Sequence, residues 1–219
     1  MKIESIDLNW LGHAGFQIKD GKSVIYVDPY KISNSASEEK ADYIFISHSH
    51  YDHCSIQDIE KLIKDGTVVV IPADCQSKVI RFVPKIQIKL MEPGQKIDGG
   101  DFLVESVKAY NIDKGFHPAD EGWMGYVFDF GNVSVYHSGD SDLIPEMKEI
   151  NRENLIALLP IGGTYTMNVE EAVKAAEYVK SKITIPMHYG EIVGSEQDAE
   201  LFMKKCGEVG IKGELLEKK

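Results

Sequence analysis

At 219 residues and 24.5 kDa, the chain is long enough for one sizeable hydrophobic core but short for two, so we expect a single domain over residues 1–219. Its 43% hydrophobic and 27% charged residues are typical of a soluble globular protein, and no apolar run approaches the roughly 18–20 residues that a membrane span needs. The net charge of −11 disfavours nucleic acid and anionic bilayers as partners, because both would be repelled.

The cysteines and the first residues point to the compartment. Three cysteines, Cys54, Cys75 and Cys206, are an odd number at wide spacing with no CxxC pair, which argues against a disulfide framework and against a thiolate zinc site. The first ten residues, "MKIESIDLNW", carry no signal-peptide pattern. We therefore expect a cytoplasmic protein.

Strands dominate the predicted N-terminal third. The segments "GFQIKD" and "SVIYVD" flank Asp20-Gly21, a pair that suits a tight hairpin. The apolar run "YIFIS", residues 43–47, is predicted to be a buried strand that ends where a histidine-rich segment begins. A helix is predicted from Ser55 as N-cap, and the polar segment 33–40 is predicted to be a surface loop.

Strands are predicted to dominate the first two thirds of the chain, and alternating strands and helices complete it. Strand "TVVVI" and a short helical piece near residues 74–81 precede four strands, "IQIKL", "FLVESVKAY", "GWMGYVFDF" and "VSVYHS". Strand "LIALLP", a helix with Val169, Ala172, Val173 and Ala176 on one face, strand "KITIPMH" and a last helix complete the chain. No internal repeat is visible. The order predicts an α/β fold in which two packed sheets carry helices outside.

The segment "ISHSHYDHCS" is the strongest chemical signal. Seven histidines in 219 residues predict about 0.2 in a six-residue window, whereas this window holds three. Side chains alternate along an extended chain, so His48 and His50 point the same way, while a turn can bring Asp52 and His53 beside them. Imidazole and carboxylate ligands together suit Zn, Mn, Fe or Ni and argue against Ca or Mg alone.

Four further polar residues stand at predicted strand ends, which is where a rigid sheet can present ligands to one point. They are Asp28, Asn111, Asp140 and His188. Each alone is typical of an ordinary turn or a partly buried position.

Taken together, these residues resemble the metallo-β-lactamase superfamily. "HSHYDH" matches its H-x-H-x-D-H motif, and Asp28, Asp140 and His188 follow in the order of its other motifs. "LGHAGF", "YHSGDSD", "LLPIGGTYTMNVEEA" and "PMHYG" are most similar to the branch that contains ascorbate-6-phosphate lactonase and many predicted metal-dependent hydrolases. The resemblance implies an αββα sandwich of two mixed β-sheets flanked by helices, with metals at one edge.

The resemblance also implies residue roles. His48 and His50 would bind a first metal, and Asp52, His53 and His188 a second, with the Asp140 carboxylate bridging them. Asp28 would hold ligand imidazoles in place. Asn111 stands where members with two full sites usually have histidine, so the first site would be weak, oxygen-rich or empty. One or two divalent ions are expected, Zn, Mn or Ni, with Fe also compatible.

Other residues leave alternatives open. His13 is a candidate ligand, structural residue or substrate contact. His13 and Asp52 are also candidate catalytic residues: Asp52 would anchor charge, and either a metal-bound water or His13 would protonate a leaving group. His117 could cover the site, although its Gly- and Pro-flanked loop favours a solvated side chain. The role predicted for His137 is to support the site from behind, and Cys54 is predicted to be a small buried group. Candidates for binding an anion or lining a pocket are Gly162, Gly163, Thr164, Tyr165 and Tyr189.

The preferred hypothesis is a metal-dependent hydrolase in which a coordinated water of lowered pKa attacks a small phosphoester, lactone or similar substrate. An iron-dependent redox or oxygen-handling protein is one alternative, because His and carboxylate ligands also suit iron. A non-catalytic metal-binding module is another, favoured only by Asn111. Members of this branch often assemble, so a homo-oligomer is left open.

Overall fold

A computed structural model describes all residues, Met1–Lys219, as two compact units. The N-terminal unit comprises residues 1–92 together with 217–219, and the C-terminal unit comprises residues 93–216. Each unit is built on one seven-stranded mixed β-sheet, and these sheets with their helices confirm the predicted α/β class. The single domain over 1–219 stays a prediction. The chain contains no helix of the length and apolarity that crossing a membrane requires.

The sheet of the N-terminal unit runs in sequence order from β1 to β7. Neighbouring strands pair antiparallel from β1 to β4 and parallel from β4 to β7. Its elements are β1 (Lys2–Ile3), β2 (Ile6–Gly12), β3 (Gly15–Lys19), β4 (Val24–Val27), β5 (Tyr43–Phe45), α1 (Ile56–Leu62), β6 (Thr67–Ile71), α2 (Gln76–Val79) and β7 (Ile86–Leu90), with 3-10 turns at Ser35–Ser37, Ala73–Cys75 and Ile80–Phe82.

The sheet of the C-terminal unit also follows sequence order, from β8 to β14. Pairing is antiparallel from β8 to β11 and parallel from β11 to β14. Its elements are β8 (Lys96–Asp98), β9 (Leu103–Lys108), β10 (Met124–Asp129), β11 (Ser134–His137), β12 (Leu155–Pro160), α3 (Val169–Tyr178), β13 (Ile183–Met187), α4 (Glu196–Glu208) and β14 (Lys212–Gly213), with 3-10 turns at Ala119–Glu121 and Pro145–Glu149.

The two units repeat one topology that the sequence does not reveal. In each, four antiparallel strands are followed by three parallel strands in chain order. Asp28 follows the fourth strand of its unit and Asp140 follows the fourth strand of the other. The connection after the second strand holds His13 in one unit, and the corresponding connection of the other unit holds Asn111 and His117. Asp28 and Asp140 therefore occupy equivalent points of the two units, whereas the histidine-rich segment follows a fifth strand and His188 follows a sixth.

Local sequence signals position the elements near the histidine-rich segment. The Asp20 carboxylate accepts hydrogen bonds from the backbone N–H groups of Lys22 and Ser23, and Gly21 has φ +89°, which confirms the predicted turn between β3 and β4. Ser55 caps α1 as predicted and accepts from the Asp58 N–H. α1 packs Ile59 and Leu62 into the core beside strands β4 to β6.

The polar segment 33–40 is more integrated than a plain surface loop. It contains a 3-10 turn in which Ala36 is buried. The carbonyl oxygens of Ala36 and Glu39 lie 2.9 and 2.7 Å from the Tyr26 hydroxyl, which also accepts from Gln17 Nε2 at 2.7 Å. A buried tyrosine thus ties the segment to the sheet, an effect that polarity alone does not predict.

Removing the hydroxyl group is expected to have opposite effects on stability at two buried tyrosines, Tyr26 and Tyr136. The Tyr136 hydroxyl is fully buried without a hydrogen-bond partner, whereas that of Tyr26 is satisfied. We expect Tyr136→Phe to raise the free energy of unfolding by about 1 kcal/mol and Tyr26→Phe to lower it by about 1–2 kcal/mol, measured by urea unfolding at pH 7. A loss of stability in both variants would contradict the first expectation.

The contribution of Tyr26 to stability depends on pH. Burial raises the pKa of Tyr26 to about 12, above the value of about 10 in an unfolded chain. Because the unfolded state then loses its proton first, the contribution of Tyr26 is complete below about pH 10 and declines as the pH rises toward 12. The stability difference between wild type and Tyr26→Phe should therefore shrink over that range.

Candidate metal centre

The histidine-rich segment forms a tight turn directly after β5. The backbone N–H groups of His53 and Cys54 both donate to the carbonyl oxygen of His50, at 3.1 and 2.8 Å. This turn brings the later half of the segment back toward its beginning, as the sequence predicts. His48 and His53 are fully buried, Asp52 is 8% exposed, and His50 is half-buried.

Asp28 is the carboxylate around which this turn is organised. It lies at the end of β4, is fully buried, and receives three hydrogen bonds. They come from the Ser47 N–H at 2.7 Å, the Ser47 hydroxyl at 2.5 Å and His53 Nδ1 at 2.8 Å. The parallel pairing of β4 and β5 supplies the register, because the Asp28 N–H donates to the carbonyl of Phe45.

These hydrogen bonds decide which imidazole nitrogens carry a lone pair. His53 Nδ1 donates to the carboxylate, so its Nε2 is the nitrogen that can bind a metal. The Ser47 hydroxyl donates its proton to Asp28, so it accepts a hydrogen bond from His48 Nδ1 at 2.8 Å. His48 Nε2 is therefore the unprotonated nitrogen, whose lone pair can bind a metal. His48 Nε2 and His50 Nδ1 lie 2.9 Å apart, near the spacing of about 3 Å between ligands whose bonds to an ion are about 2.1 Å.

His13 joins this group from a distant part of the sequence. It sits in the turn between β2 and β3, is fully buried, and lies with Nε2 3.0 Å from Asp52 Oδ2. His53 Nε2 is 3.9 Å from the same oxygen. The carbonyl oxygen of His13 accepts from the Trp10 indole at 3.0 Å, which anchors the turn. This contact brings His13 together with Asp52, another of the predicted site residues.

In the C-terminal unit, the structure brings Asp140 and His188 together. Asp140 follows β11, His188 follows β13, and Asp140 Oδ2 lies 3.1 Å from His188 Nε2. Both are buried, at 4% and 1% exposure. His137 Nδ1 accepts the backbone N–H of Gly139 at 3.2 Å, so this predicted supporting residue shapes the turn that carries Asp140.

Gly162 has a steric role that differs from the predicted anion site. A Cβ at this position would lie 2.7 Å from the carbonyl oxygen of His188, so only glycine allows the two backbones to approach. The N-terminus of the following helix α3 is closed by a capping box between Asn168 and Glu171, with Glu170 also in the first turn. These acidic and capping groups already occupy the position an anion would take. Of the residues predicted to line a pocket, Thr164 is exposed, Tyr165 packs edge-on against Phe116, and Tyr189 is buried.

The expectation of a solvated His117 is wrong. Its side chain is 1% exposed and packs edge-on against Trp123, with ring centroids 4.6 Å apart. The carbonyl oxygen of His117 accepts the backbone N–H of Asn111 at 2.7 Å, so the loop folds inward. Asn111 is 6% exposed and donates through Nδ2 to the carbonyl oxygens of Asp140 and Tyr165.

Backbone strain marks several of these positions. His13, Asp28 and His188 have φ of +50°, +44° and +58°, in the left-handed region that residues with a Cβ seldom adopt. Such conformations cost about 1 kcal/mol or more and persist where the surrounding structure enforces them, often at functional sites. Three of the seven non-glycine residues with positive φ are thus predicted site residues.

The three cysteines form no disulfide. All three are buried and free, which agrees with the expectation for Cys54 as a small buried group. A hydrogen bond from Cys75 holds the pKa of Cys54 below its usual value and raises the pKa of Cys75. Burial raises the pKa of Cys206 to about 11.

The donors present fit a transition metal. Neutral imidazoles whose second nitrogen is held by a hydrogen bond, next to carboxylates, are the usual environment of Zn, Mn, Fe or Ni in proteins. Ser47 is the residue that sequence reasoning missed, because a serine before a histidine carries no chemical signal until its contact with Asp28 is known.

Several known proteins are similar to this chain over nearly its whole length. A UPF0173 metal-dependent hydrolase of Thermus thermophilus is 32% identical over 96% of both chains. A solved structure from Parabacteroides distasonis, named as a candidate metal-dependent hydrolase, is 29% identical and superposes with a TM-score of 0.85 over 98% of this chain and 94% of the other. Igni18, a metallo hydrolase of the archaeon Ignicoccus hospitalis, shares the fold at 24% identity, with a TM-score of 0.80 over 97% and 95% of the two chains.

A family model described as a beta-lactamase superfamily domain matches residues 7–188. That range contains every residue of the H-x-H-x-D-H segment and ends on His188. The specific likeness to ascorbate-6-phosphate lactonase is a finer distinction that this match does not draw. The chain belongs to the metallo-β-lactamase superfamily.

Proposed function

We propose that the protein is a metal-dependent hydrolase that acts on a small phosphoester, lactone or similar substrate. The proposal rests on two series of hydrogen bonds, Asp28–His53 and Asp28–Ser47–His48. In each, the Nδ1 atom of a buried imidazole is hydrogen-bonded, which leaves Nε2 for a metal. Anchoring of this kind is characteristic of metal ligands. The relatives at 32% identity, which are named metal-dependent hydrolases, support the same class.

The proposed ligands follow the family motif. His48 and His50 would hold one ion, Asp52, His53 and His188 a second, and Asp140 would serve both, with Asn111 next to Asp140. When bound, a divalent ion of this kind supplies a water of lowered pKa and polarises the bond to be cleaved. Zinc, manganese, nickel and iron all suit these donors.

His13 and Asp52 would handle the proton that the leaving group takes up. The contact of His13 Nε2 with Asp52 Oδ2 at 3.0 Å pairs a base with a carboxylate, as in other sites where an oriented imidazole moves a proton. His13 would hold the proton that the leaving group requires, and Asp52 would fix the ring and balance its charge. Burial of both side chains keeps bulk water from competing for that proton.

The test is hydrolysis by protein loaded separately with Zn²⁺, Mn²⁺, Ni²⁺ or Fe²⁺ against a panel of phosphodiesters, phosphomonoesters and lactones. We expect turnover of at least one class, loss of at least about 100-fold after chelation, and recovery when the ion is restored. Turnover that survives complete removal of metal would overturn the proposal. A visible absorption band with iron and no hydrolysis would instead favour the redox alternative.

A further inference from the structure

Asn111 occupies a position whose backbone is pinned on both sides. Its own N–H donates to the His117 carbonyl at 2.7 Å. The carbonyl of Tyr110 accepts from the Asp142 N–H at 2.9 Å, and the N–H of Ile112 donates to the Asp142 carboxylate at 3.0 Å. The side chain therefore starts from a fixed point beside the turn that carries Asp140.

The orientation of the Asn111 amide is decided by its partners. Nδ2 has two protons, and two backbone carbonyl oxygens receive them, that of Tyr165 at 3.0 Å and that of Asp140 at 3.3 Å. Turning the amide over would place Oδ1 against both carbonyl oxygens, which repel it. The nitrogen is thus fully used in holding the side chain, and Oδ1 points to the other side.

Oδ1 is buried and accepts no hydrogen bond, while the residue as a whole is 6% exposed. A buried amide oxygen without a partner is unfavourable unless a cation or a donor meets it. Asp140, whose carboxylate is one of the groups proposed to bind metal, accepts a hydrogen bond from the same amide through its backbone carbonyl. The oxygen is therefore held in a fixed orientation as a neutral donor, on a residue that is hydrogen-bonded to the turn carrying Asp140.

We infer that Asn111 Oδ1 is a ligand of the ion bound by Asp140 and shifts the selectivity of that position from Zn²⁺ toward Mn²⁺. This inference rests on the proposed metal centre. A carbonyl-type oxygen suits Mn²⁺, whereas imidazole suits Zn²⁺. The expected shift is in the ratio of the two affinities, because Zn²⁺ binds most sites more tightly than Mn²⁺ in absolute terms.

The experiment compares wild type with Asn111→His and Asn111→Leu in the full-length protein. Dissociation constants for Mn²⁺ and Zn²⁺ come from competition with a chromophoric chelator, and bound metal is counted by elemental analysis. Asn111→Leu should weaken Mn²⁺ binding at one position by about tenfold or more and weaken Zn²⁺ less. Asn111→His should move the Zn²⁺-to-Mn²⁺ affinity ratio about tenfold toward Zn²⁺. Asn9→Leu, which removes an amide that donates to Gln17, is the control and should change neither ion.

Two results would overturn the inference: unchanged affinities in both Asn111 variants, or an equal loss for both ions, which would mean that Asn111 only holds Asp140 in place. If Asn111→Leu does not fold, the ratio measured with Asn111→His decides alone. The outcome is separate from that of the proposed function. If the Asn111 variants change metal affinity but the protein hydrolyses no substrate, the proposed function fails and the inference that Asn111 is a ligand stands. If the protein hydrolyses a substrate but the Asn111 variants bind both metals as wild type does, the proposed function stands and the inference fails.

Discussion

Replacing Asp52 with asparagine is expected to lower kcat/KM by about 10²–10⁴-fold on any substrate that the wild type hydrolyses. Asp52 Oδ2 is 3.0 Å from His13 Nε2 and 3.9 Å from His53 Nε2, so one oxygen serves both a proposed proton carrier and a proposed metal ligand. Asparagine keeps the size of the side chain but removes the charge. The loss should therefore appear in kcat as well as in KM.

The pairing with His13 makes this prediction sharper. If the two residues act as a unit, His13→Gln should cost a similar factor, and the double variant should be little worse than the more severe single one. Asp42→Asn is the control, because Asp42 accepts the Val24 N–H and pairs with Lys64 away from these groups. Steady-state kinetics with matched metal content provide the measurement. Two results would contradict the prediction that Asp52 and His13 act together. One is a kcat/KM of Asp52→Asn within about threefold of wild type, and the other is a double variant whose loss equals the sum of the two single losses in free energy.

The metal-binding segment was predictable because its signal is local. Three imidazoles and a carboxylate within six residues after an apolar strand are improbable by chance, and a turn there is what brings them together. The hairpin at Asp20 and the start of α1 at Ser55 were predictable for the same reason, since each rests on side chains that bond to the adjacent backbone.

The contacts that anchor the segment were not predictable in the same way. The hydrogen bond from His53 to Asp28 depends on the parallel register of β4 and β5, and strand pairing is not written in any local pattern. His13 meets Asp52 only because of the turn between β2 and β3. His117 was expected in solvent from its loop composition, but Trp123 covers it. Composition describes what a loop can tolerate, whereas burial depends on which residues pack over it.

The repeated topology is a further feature that required the structure. Strands β1 to β7 and β8 to β14 share one pairing scheme, yet they share no visible sequence period. Strands pair through backbone N–H and C=O groups that almost every residue type carries, so two units can share the arrangement without sharing a sequence pattern. What remains equivalent is the placement of polar residues at strand ends, as with Asp28 and Asp140.

Asp28→Asn is expected to weaken metal binding by about 10–100-fold although Asp28 itself is not a proposed ligand. The Asp28 carboxylate receives the Ser47 N–H, the Ser47 hydroxyl and His53 Nδ1 in full burial. Asparagine has one acceptor oxygen in place of two. An Nδ2 group facing His53 would oppose two donors, so the ring would move its proton from Nδ1 to Nε2 and lose the lone pair that binds metal.

Stability should fall in the same variant, by about 3 kcal/mol, because buried donors lose a charged acceptor. Asp58→Asn separates the two effects. Asp58 is also buried and accepts the N–H groups of Lys31 and Ile32, so its replacement should cost about 1–3 kcal/mol without changing metal affinity. Urea unfolding of the metal-free proteins and chelator competition for Zn²⁺ measure the two quantities. Equal metal affinities in wild type and Asp28→Asn would contradict this prediction. They would show that the Asp28–His53 hydrogen bond does not determine which nitrogen of His53 carries the proton.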